Sequence, residues 1–303
     1  MRYLPEDEKG RWPPDSVSVF AHHTPVFNTR EDMNRLAQYS NYIIPNDNME
    51  YFITGSQLAQ VVAVRHTLER ARTLWPYCTG ALYYKMNDNY PAASWSCVDW
   101  YGAPKPLHYF AQDAFAPVAS VILFEQTEIT SVTNKIFFPV YLLDDKMELA
   151  GTNREVTVRA FDQNLAEIKK MDFEKIECYQ QVNKLGEFSL RRQQAETFPL
   201  FFVSEVKAEG ELKFKTFYFI NFEKKKGCLF NLPRTTLSME IQGNKAIVKN
   251  TGTLPAVGVN IQCQGKADKF TASDNFFWLD PGESHAIEVN ITDNLTLNAW
   301  NKK

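Results

Sequence analysis

Apolar positions recur at helical spacing in the first third of this chain and at alternate positions in the rest. Between Gln57 and Leu74 they fall at Leu58, Val61, Val62, Leu68 and Ala71, with Arg65, Glu69 and Arg72 among the polar positions. That spacing predicts an amphipathic helix, opened by Thr54-Gly55-Ser56 and stopped by Pro76. A shorter helix is predicted over Arg30–Tyr42, with Met33, Leu36 and Ala37 on one side. Another is predicted over Lys105–Phe115, with Leu107, Phe110, Ala111 and Phe115 on one side. Between the last two helices, Thr79–Met86 reads as a short buried strand. Arg11–Asn28 reads as irregular, because Trp12-Pro13-Pro14-Asp15 and Thr24-Pro25 break any regular element.

The grammar changes at Ala116-Pro117. Ile136, Phe138, Val140 and Leu142 share one face of a predicted strand, as do Val156, Val158 and Ala160, and Phe214–Phe222 is a further strand. A second alternating block follows: Leu237, Met239 and Ile241, then Val257, Val259 and Ile261, then Ile287, Val289 and Ile291. Turn sequences such as Gln242-Gly243-Asn244 and Asp280-Pro281-Gly282 separate the runs. Period-two runs divided by turns predict antiparallel sandwiches.

Helix, buried strand, loop, helix is the local grammar of an α/β barrel, with the loop at the strand's C-terminal end. The expected fold class is therefore mixed: a partial (β/α) barrel end followed by two immunoglobulin-like β-sandwich domains. The boundaries are 1–116, 117–228 and 229–303, with the seam between the sandwiches around Glu223–Pro233.

Composition narrows the function classes. With 303 residues, 44% hydrophobic and 23% charged, the chain can bury ordinary globular cores. A net charge of -3 argues against nucleic acid as a partner. The basic run Lys224-Lys225-Lys226 reads as a solvated turn. No apolar stretch approaches the ~20 residues a membrane helix needs, and Met1–Glu8 does not read as a signal peptide. The five cysteines, Cys78, Cys97, Cys178, Cys228 and Cys263, show no paired metal-ligand spacing. They read as free thiols in a reducing, cytoplasmic compartment. Adjacent His22-His23 is a poor joint ligand, so neither a metal nor an organic cofactor is expected.

Tyr83–Gly102 is the densest chemistry in the chain. It sets Tyr83, Tyr84, Tyr90, Trp95, Trp100 and Tyr101 among Asn87, Asp88, Asn89, Pro91 and Asp99. Aromatic segments commonly serve as plain core. Flat rings beside amides and carboxylates also suit a sugar, since rings stack on pyranose faces and amides take hydroxyls.

The same segment resembles the end of the catalytic barrel in β-mannosidase-type enzymes of glycoside hydrolase family 2. Their pattern there is approximately Gly-Ala-Leu-Tyr-Trp-Gln-x-Asn-Asp-x-Trp-Pro-x-x-Ser-Trp-Ser-Ser-x-Asp-Tyr-Tyr-Gly. The chain matches at Gly80, Ala81, Leu82, Tyr83, Asn87, Asp88, Pro91, Ser94, Trp95, Ser96, Asp99, Tyr101 and Gly102. It departs at Tyr84, Lys85 and Tyr90, where the family has Trp, Gln and Trp. The stretch Asn275–Glu283 is loosely similar to the family's last sandwich.

The resemblance implies a C-terminal piece of a retaining exo-β-glycosidase acting on terminal β-mannosides or related β-glycosides. It implies a sugar subsite at Tyr84, Asn87, Asp88, Tyr90 and Trp95. Tyr84 or Trp95 would be the stacking platform, and Asn87 and Asp88 the hydroxyl partners. Such enzymes need two carboxyl groups about 5–5.5 Å apart. In this family one follows an Asn, and the other sits in Ser-Glu-Phe/Tyr-Gly. The chain has no Asn-Glu dipeptide. Its Ser204-Glu205 is followed by Val206-Lys207 in the sandwich region, and Glu205 reads as a solvated strand residue. Asp99 reads as a brace for the turn into the next helix. No catalytic residue is assigned.

The implied partners are a carbohydrate, the parent enzyme's N-terminal domains, and a second copy joined through the incomplete barrel. Two rival readings stand: a non-catalytic carbohydrate- or protein-binding sandwich module displaying Phe124, Tyr141, Trp278 and Trp300, and a β-glucosaminidase or β-galactosidase relative.

Overall fold

The computed structural model describes residues 4–14, 17–23, 30–125, 134–174, 176, 180–195, 199–221, 229–265 and 269–303, and of residues 30–33 the backbone alone. Several expectations fall outside these residues: the triple lysine, Cys178, Cys228, the Met33 side chain, residues 1–3 and most of the seam at 223–233. Contacts divide the chain into two units, one from Met1–Val61, Tyr83–Tyr109 and Lys226–Lys303, the other from Val62–Leu82 and Phe110–Lys225.

The helices are α1 (Val19–His22), α2 (Arg30–Ile43), α3 (Met49–Thr73), α4 (Pro106–Ala114) and α5 (Arg192–Ala195). Helix α3 starts well before the expected Thr54-Gly55-Ser56. Asn48 supplies the cap, its Oδ1 accepting the Tyr51 N–H at 2.8 Å. Gly55 lies inside the helix because α2 comes so close there. A Cβ on Gly55 would stand 2.3 Å from Ser40 Oγ. Ser40 Oγ donates to Phe52 O at 3.1 Å and to Asn46 Oδ1 at 2.6 Å. The glycine marks a helix–helix contact rather than a helix start. Around it, Leu4, Phe20, Met49 and Phe52 form a small core that Trp12, Leu36 and Ala37 flank.

The expected strand at Thr79–Met86 does not form. No strand among the described residues pairs with it, and the backbone of its tail is met by Cys97 N–H to Lys85 O at 3.2 Å and Val98 N–H to Met86 O at 2.9 Å. The expected burial is also reversed: Leu82 is fully exposed, and Tyr84 is 74% exposed. An apolar run buries itself as a strand only where neighbours complete its ladder.

The alternating blocks form sheets as expected. In the second unit β1 (Val118–Ile122), β2 (Lys135–Asp144) and β5 (Val182–Arg191) make one sheet, in the order β1-β2-β5. β3 (Arg154–Phe161), β4 (Glu167–Phe173), β6 (Leu200–Ala208) and β7 (Glu211–Ile220) make the other, in the order β4-β3-β6-β7. Ile136, Phe138, Val140 and Leu142 meet Val156, Val158, Ala160 and Phe202 in a fully buried core between the two sheets. This is a sandwich built by period-two alternation.

The first unit carries a smaller sandwich. β8 (Leu237–Gln242), β9 (Lys245–Asn250) and β12 (Ser284–Glu288) face β10 (Ala256–Cys263), β11 (Phe277–Leu279) and β13 (Leu295–Asn298). Ala246, Val248, Val259, Ile261, Leu279 and Ile287 fill it. Asn250 and Asn301 are fully buried in it, and both hold loop backbone. Asn301 donates to Pro233 O and Pro255 O and accepts from Val257 N–H, all near 3.0 Å. Buried amides of this kind persist because every donor is satisfied.

The helical stripe also holds a surprise. Arg65 and Glu69, among the polar positions of that helix, are 3% and 2% exposed. Arg65 Nε donates to Glu69 Oε1 at 2.7 Å, Nη1 to Phe217 O at 2.8 Å and Nη2 to Thr216 Oγ1 at 2.9 Å. Its guanidinium carbon lies 3.9 Å from the centre of the Tyr218 ring.

Candidate functional site

The aromatic loop is organised around one carboxylate. Asp88 is buried, and its side chain is 1% exposed. Ser94 Oγ donates to Oδ1, and Ser96 Oγ donates to Oδ2 at 2.7 Å. Lys85 Nζ approaches Oδ1 at 3.2 Å and Lys105 Nζ approaches Oδ2 at 3.5 Å. Lys105 also donates to Ser96 Oγ at 2.7 Å and to Ser94 O at 3.4 Å. Burial pushes the Asp88 carboxyl upward. The two serine hydrogen bonds and the two ammonium charges outweigh it, and hold the group below its usual range. For Lys105 burial wins and lowers its affinity for a proton, although Asp88 opposes the shift.

This geometry gives Asp88 a scaffolding position. It ties residues 85–88 to 94–96 and to the residue just before α4. Tyr83, on the same stretch, lies with its hydroxyl 3.3 Å from the fully buried Cys97 Sγ. Burial first, then this contact, pushes the phenol up to about 12. Cys97 in turn lies 3.1 Å from Met86 O. Cys78, Cys97 and Cys263 are free thiols.

The other predicted site residues separate into two places. Tyr84 and Trp95 lie side by side, with ring centres 6.3 Å apart and planes at 41°. Both present apolar surface to solvent. Asn87 is exposed next to them in sequence, and its amide reaches only Asp88 O at 3.2 Å. Tyr90 instead sits with its ring 6.3 Å from that of His23. There Ala93 N–H donates to His23 O at 3.0 Å, and the His23 ring meets Pro91 O.

A cleft of about 270 Å³ opens between this loop and α3. Trp95, Trp100 and Lys105 line it from the loop, and Gln57, Gln60 and Phe52 line it from α3. Gln60 Nε2 donates to Trp95 O, which fixes the loop against the helix. Asp99 also reaches the cleft, and its Oδ1 accepts the Ala103 N–H at 2.8 Å, the turn brace expected of it. Tyr84, Asn87 and Tyr90 lie outside the cleft.

Sequence reasoning missed Lys105, Gln57 and Trp100 as site residues. A signal existed for Lys105: a carboxylate in an aromatic run needs a cation if it is to be buried. Gln57 carried none, because the helix face it occupies is set by the packing of α2. Glu205 lies on β6, 3.1 Å from Arg159 Nη2 and 3.4 Å from Lys215 Nζ, an ion-paired strand residue. Among the described residues no His, Cys, Asp and Glu cluster could hold a metal. Among them, too, no helix is long and apolar enough to cross a membrane.

No family model matches the chain. In sequence it is 32% identical over 126 residues to β-mannosidase B of Thermothelomyces thermophilus and 28% identical over 126 residues to that of Aspergillus niger. Each match covers 39% of this chain and 14% of the relative. Over 42 residues it is 50% identical to β-mannosidase of Bos taurus, covering 14% of this chain and 5% of that protein. In fold it matches the β-D-mannosidase of Dictyoglomus thermophilum with a TM-score of 0.70 at 21% identity, over 94% of this chain and 34% of that one. The exo-chitosanase CsxA of Amycolatopsis orientalis gives a TM-score of 0.65 at 16% identity, over 84% and 34%. The chain is β-mannosidase-like: it is similar in sequence to β-mannosidases over part of its length and in fold over most of it. It spans only a small share of the curated relatives' length.

Proposed function

We propose that this chain forms one wall of the sugar subsite in a retaining exo-β-glycosidase that acts on terminal β-mannosides, and contributes neither catalytic carboxylate. The observation that carries the reading is the exposed Tyr84–Trp95 pair, on a loop that Asp88 and Lys105 tie together. Two solvent-facing rings on a fixed loop offer aromatic faces to a pyranose, and preorganisation is what makes such contacts specific. Asp88 acts by shaping the loop, since both its oxygens are occupied. The residues 79–86, extended and without strand partners, are the barrel end of this reading. The domains 1–116, 117–228 and 229–303 remain its working division, and the parent's N-terminal domains its macromolecular partner.

The known chemistry of double displacement needs two carboxyls at roughly 5–5.5 Å. Asp88 is neutralised by two lysines, so it is not free to attack or to donate, and Asp99 has one of its oxygens engaged in bracing a turn. The sandwich-module reading loses its support, because Trp278 and Trp300 are 3% and 5% exposed, and Phe124 and Tyr141 pack against cores.

The test is twofold. The purified chain is expected to release no nitrophenol from aryl β-mannosides. Methyl β-mannoside is expected to shift the Trp95 indole signal in NMR, and Tyr84→Ala is expected to abolish that response. Turnover by the purified chain, or a Trp95 response indifferent to Tyr84, overturns the reading.

A further inference from the structure

The cleft behind the loop has a chemistry of its own. Its room of about 270 Å³ sits just under the ~300–1,000 Å³ typical of ligand pockets, enough for one small ring. On one side stand Trp95, 36% exposed, and Trp100, 50% exposed. Neither indole N–H has a hydrogen-bond partner among the described residues. On the other side stands Gln57, half-buried on α3, with its amide equally unpartnered. One turn further along α3, Gln60 is already occupied by Trp95 O. The charged groups in the cleft are balanced or engaged. Lys105 is held by Ser96, Ser94 and Asp88, and Asp99 gives one carboxylate oxygen to Ala103 N–H.

The Gln57 amide and the two indole N–H groups are thus donors and acceptors open to a ligand as well as to water. Aromatic faces, uncharged donors and one open carboxylate oxygen match a molecule with apolar C–H faces and several hydroxyls. An anion would meet the Asp99 charge, and the lysine in the lining, Lys105, is already engaged by Asp88, Ser94 and Ser96.

We propose that this cleft is a saccharide site separate from the Tyr84–Trp95 platform. It takes one neutral pyranose ring, stacked on Trp100, with its hydroxyls on Gln57 and Asp99. Trp95 forms the partition between the two places. The inference extends the sugar-wall reading by adding a second ring position, and it stands even if the first position fails.

The experiment is a titration of the ¹⁵N-labelled full chain with methyl β-mannoside, and with glucuronic acid as the anionic control. The indole signals are assigned through Trp→Phe variants. The neutral sugar is expected to shift the Trp100 signal saturably, and glucuronic acid to leave it unmoved. Gln57→Ala, which favours the helix by propensity, is expected to weaken the Trp100 response about tenfold, the loss of one hydrogen-bonded contact. Tyr84→Ala is expected to leave the Trp100 response intact. A silent Trp100 overturns the proposal. So does a response that Gln57→Ala spares, or one that Tyr84→Ala abolishes. A Trp95 response that depends on Tyr84, with Trp100 silent, keeps the platform and removes the cleft.

Discussion

Lys105 Nζ lies 3.5 Å from Asp88 Oδ2 and 2.7 Å from the Ser96 hydroxyl that donates to the same oxygen. A buried carboxylate, a buried ammonium and a hydroxyl thus close a three-membered ring beneath the aromatic loop. Removing one charge of such a set strands the other without solvent.

Asp88→Asn is therefore expected to destabilise the protein at neutral pH by roughly 3–5 kcal/mol. The sign of its pH dependence follows from the lowered carboxyl pKa. The native state prefers the ionised group, so the stabilisation is complete above the unfolded value near 3.8 and is lost as pH falls through the folded one. Denaturant melts of both proteins between neutral pH and pH 2 check this. The gap between them should narrow only in acid; a gap that is flat with pH would mean Asp88 acts through shape alone.

The Arg65–Glu69 pair gives a second case. Burial lowers the Arg65 affinity for a proton, but the charge of Glu69 leads the opposing contributions and the net shift is upward. Tyr218, whose hydroxyl donates to Glu69 Oε1 at 3.0 Å, is itself shifted well upward, chiefly by burial. Glu69→Gln is expected to cost about 3–5 kcal/mol, while the double change Arg65→Met with Glu69→Leu is expected to recover most of it. Thermal melts of the single and double variants measure the coupling. A double variant as weak as the single one would show that packing around Tyr218, not charge pairing, dominates.

Arg154 is the opposite situation. It is 6% exposed, and its Nε and Nη1 atoms are buried without a hydrogen-bond partner among the described residues. Unsatisfied donors cost ~1–3 kcal/mol. Arg154→Met keeps the aliphatic stem and removes the donors, so it should leave stability unchanged or raise it by about 1–2 kcal/mol. A loss above ~1 kcal/mol in urea melts would reveal a partner for the guanidinium.

Gly258 tests the smaller sandwich. Its φ is +60°, and a Cβ there would fall 2.3 Å from Trp300 Cε2. The Trp300 backbone N–H donates to Val257 O at 2.9 Å and the side chain is buried, so the ring has little room to retreat. Gly258→Ala should cost roughly 2–4 kcal/mol from overpacking and backbone strain together. An unchanged Trp300 environment in near-UV circular dichroism, with stability retained, would contradict this.

Much of the fold is legible in the residues themselves. Ile136, Phe138, Val140 and Leu142 alternate, and a period of two places all four on one face whatever their partners are. That is why both sandwiches and their turns could be read in advance. The aromatic loop was legible too, because Asn87, Asp88, Ser94, Trp95 and Ser96 form a dense local pattern. The roles within that loop were not. Asp88 reads as a hydroxyl partner until Ser94, Ser96, Lys85 and Lys105 are seen to occupy both its oxygens, and Lys105 is brought to it from 17 positions away.

The remainder was decided in three dimensions. Gly55 looks like a helix start because glycine punctuates, yet it is required by the approach of Ser40 on another helix. Arg65 and Glu69 look solvent-facing because charge favours water, yet Tyr218 and Thr216 bury them by supplying partners. Leu82 looks buried because it is apolar, yet no neighbouring strand among the described residues covers it. Alternation and local motif chemistry lie in the sequence because they depend on adjacent residues. Burial, charge pairing and the Trp100–Gln57 cleft depend on which distant segments meet, and only the tertiary structure decides that.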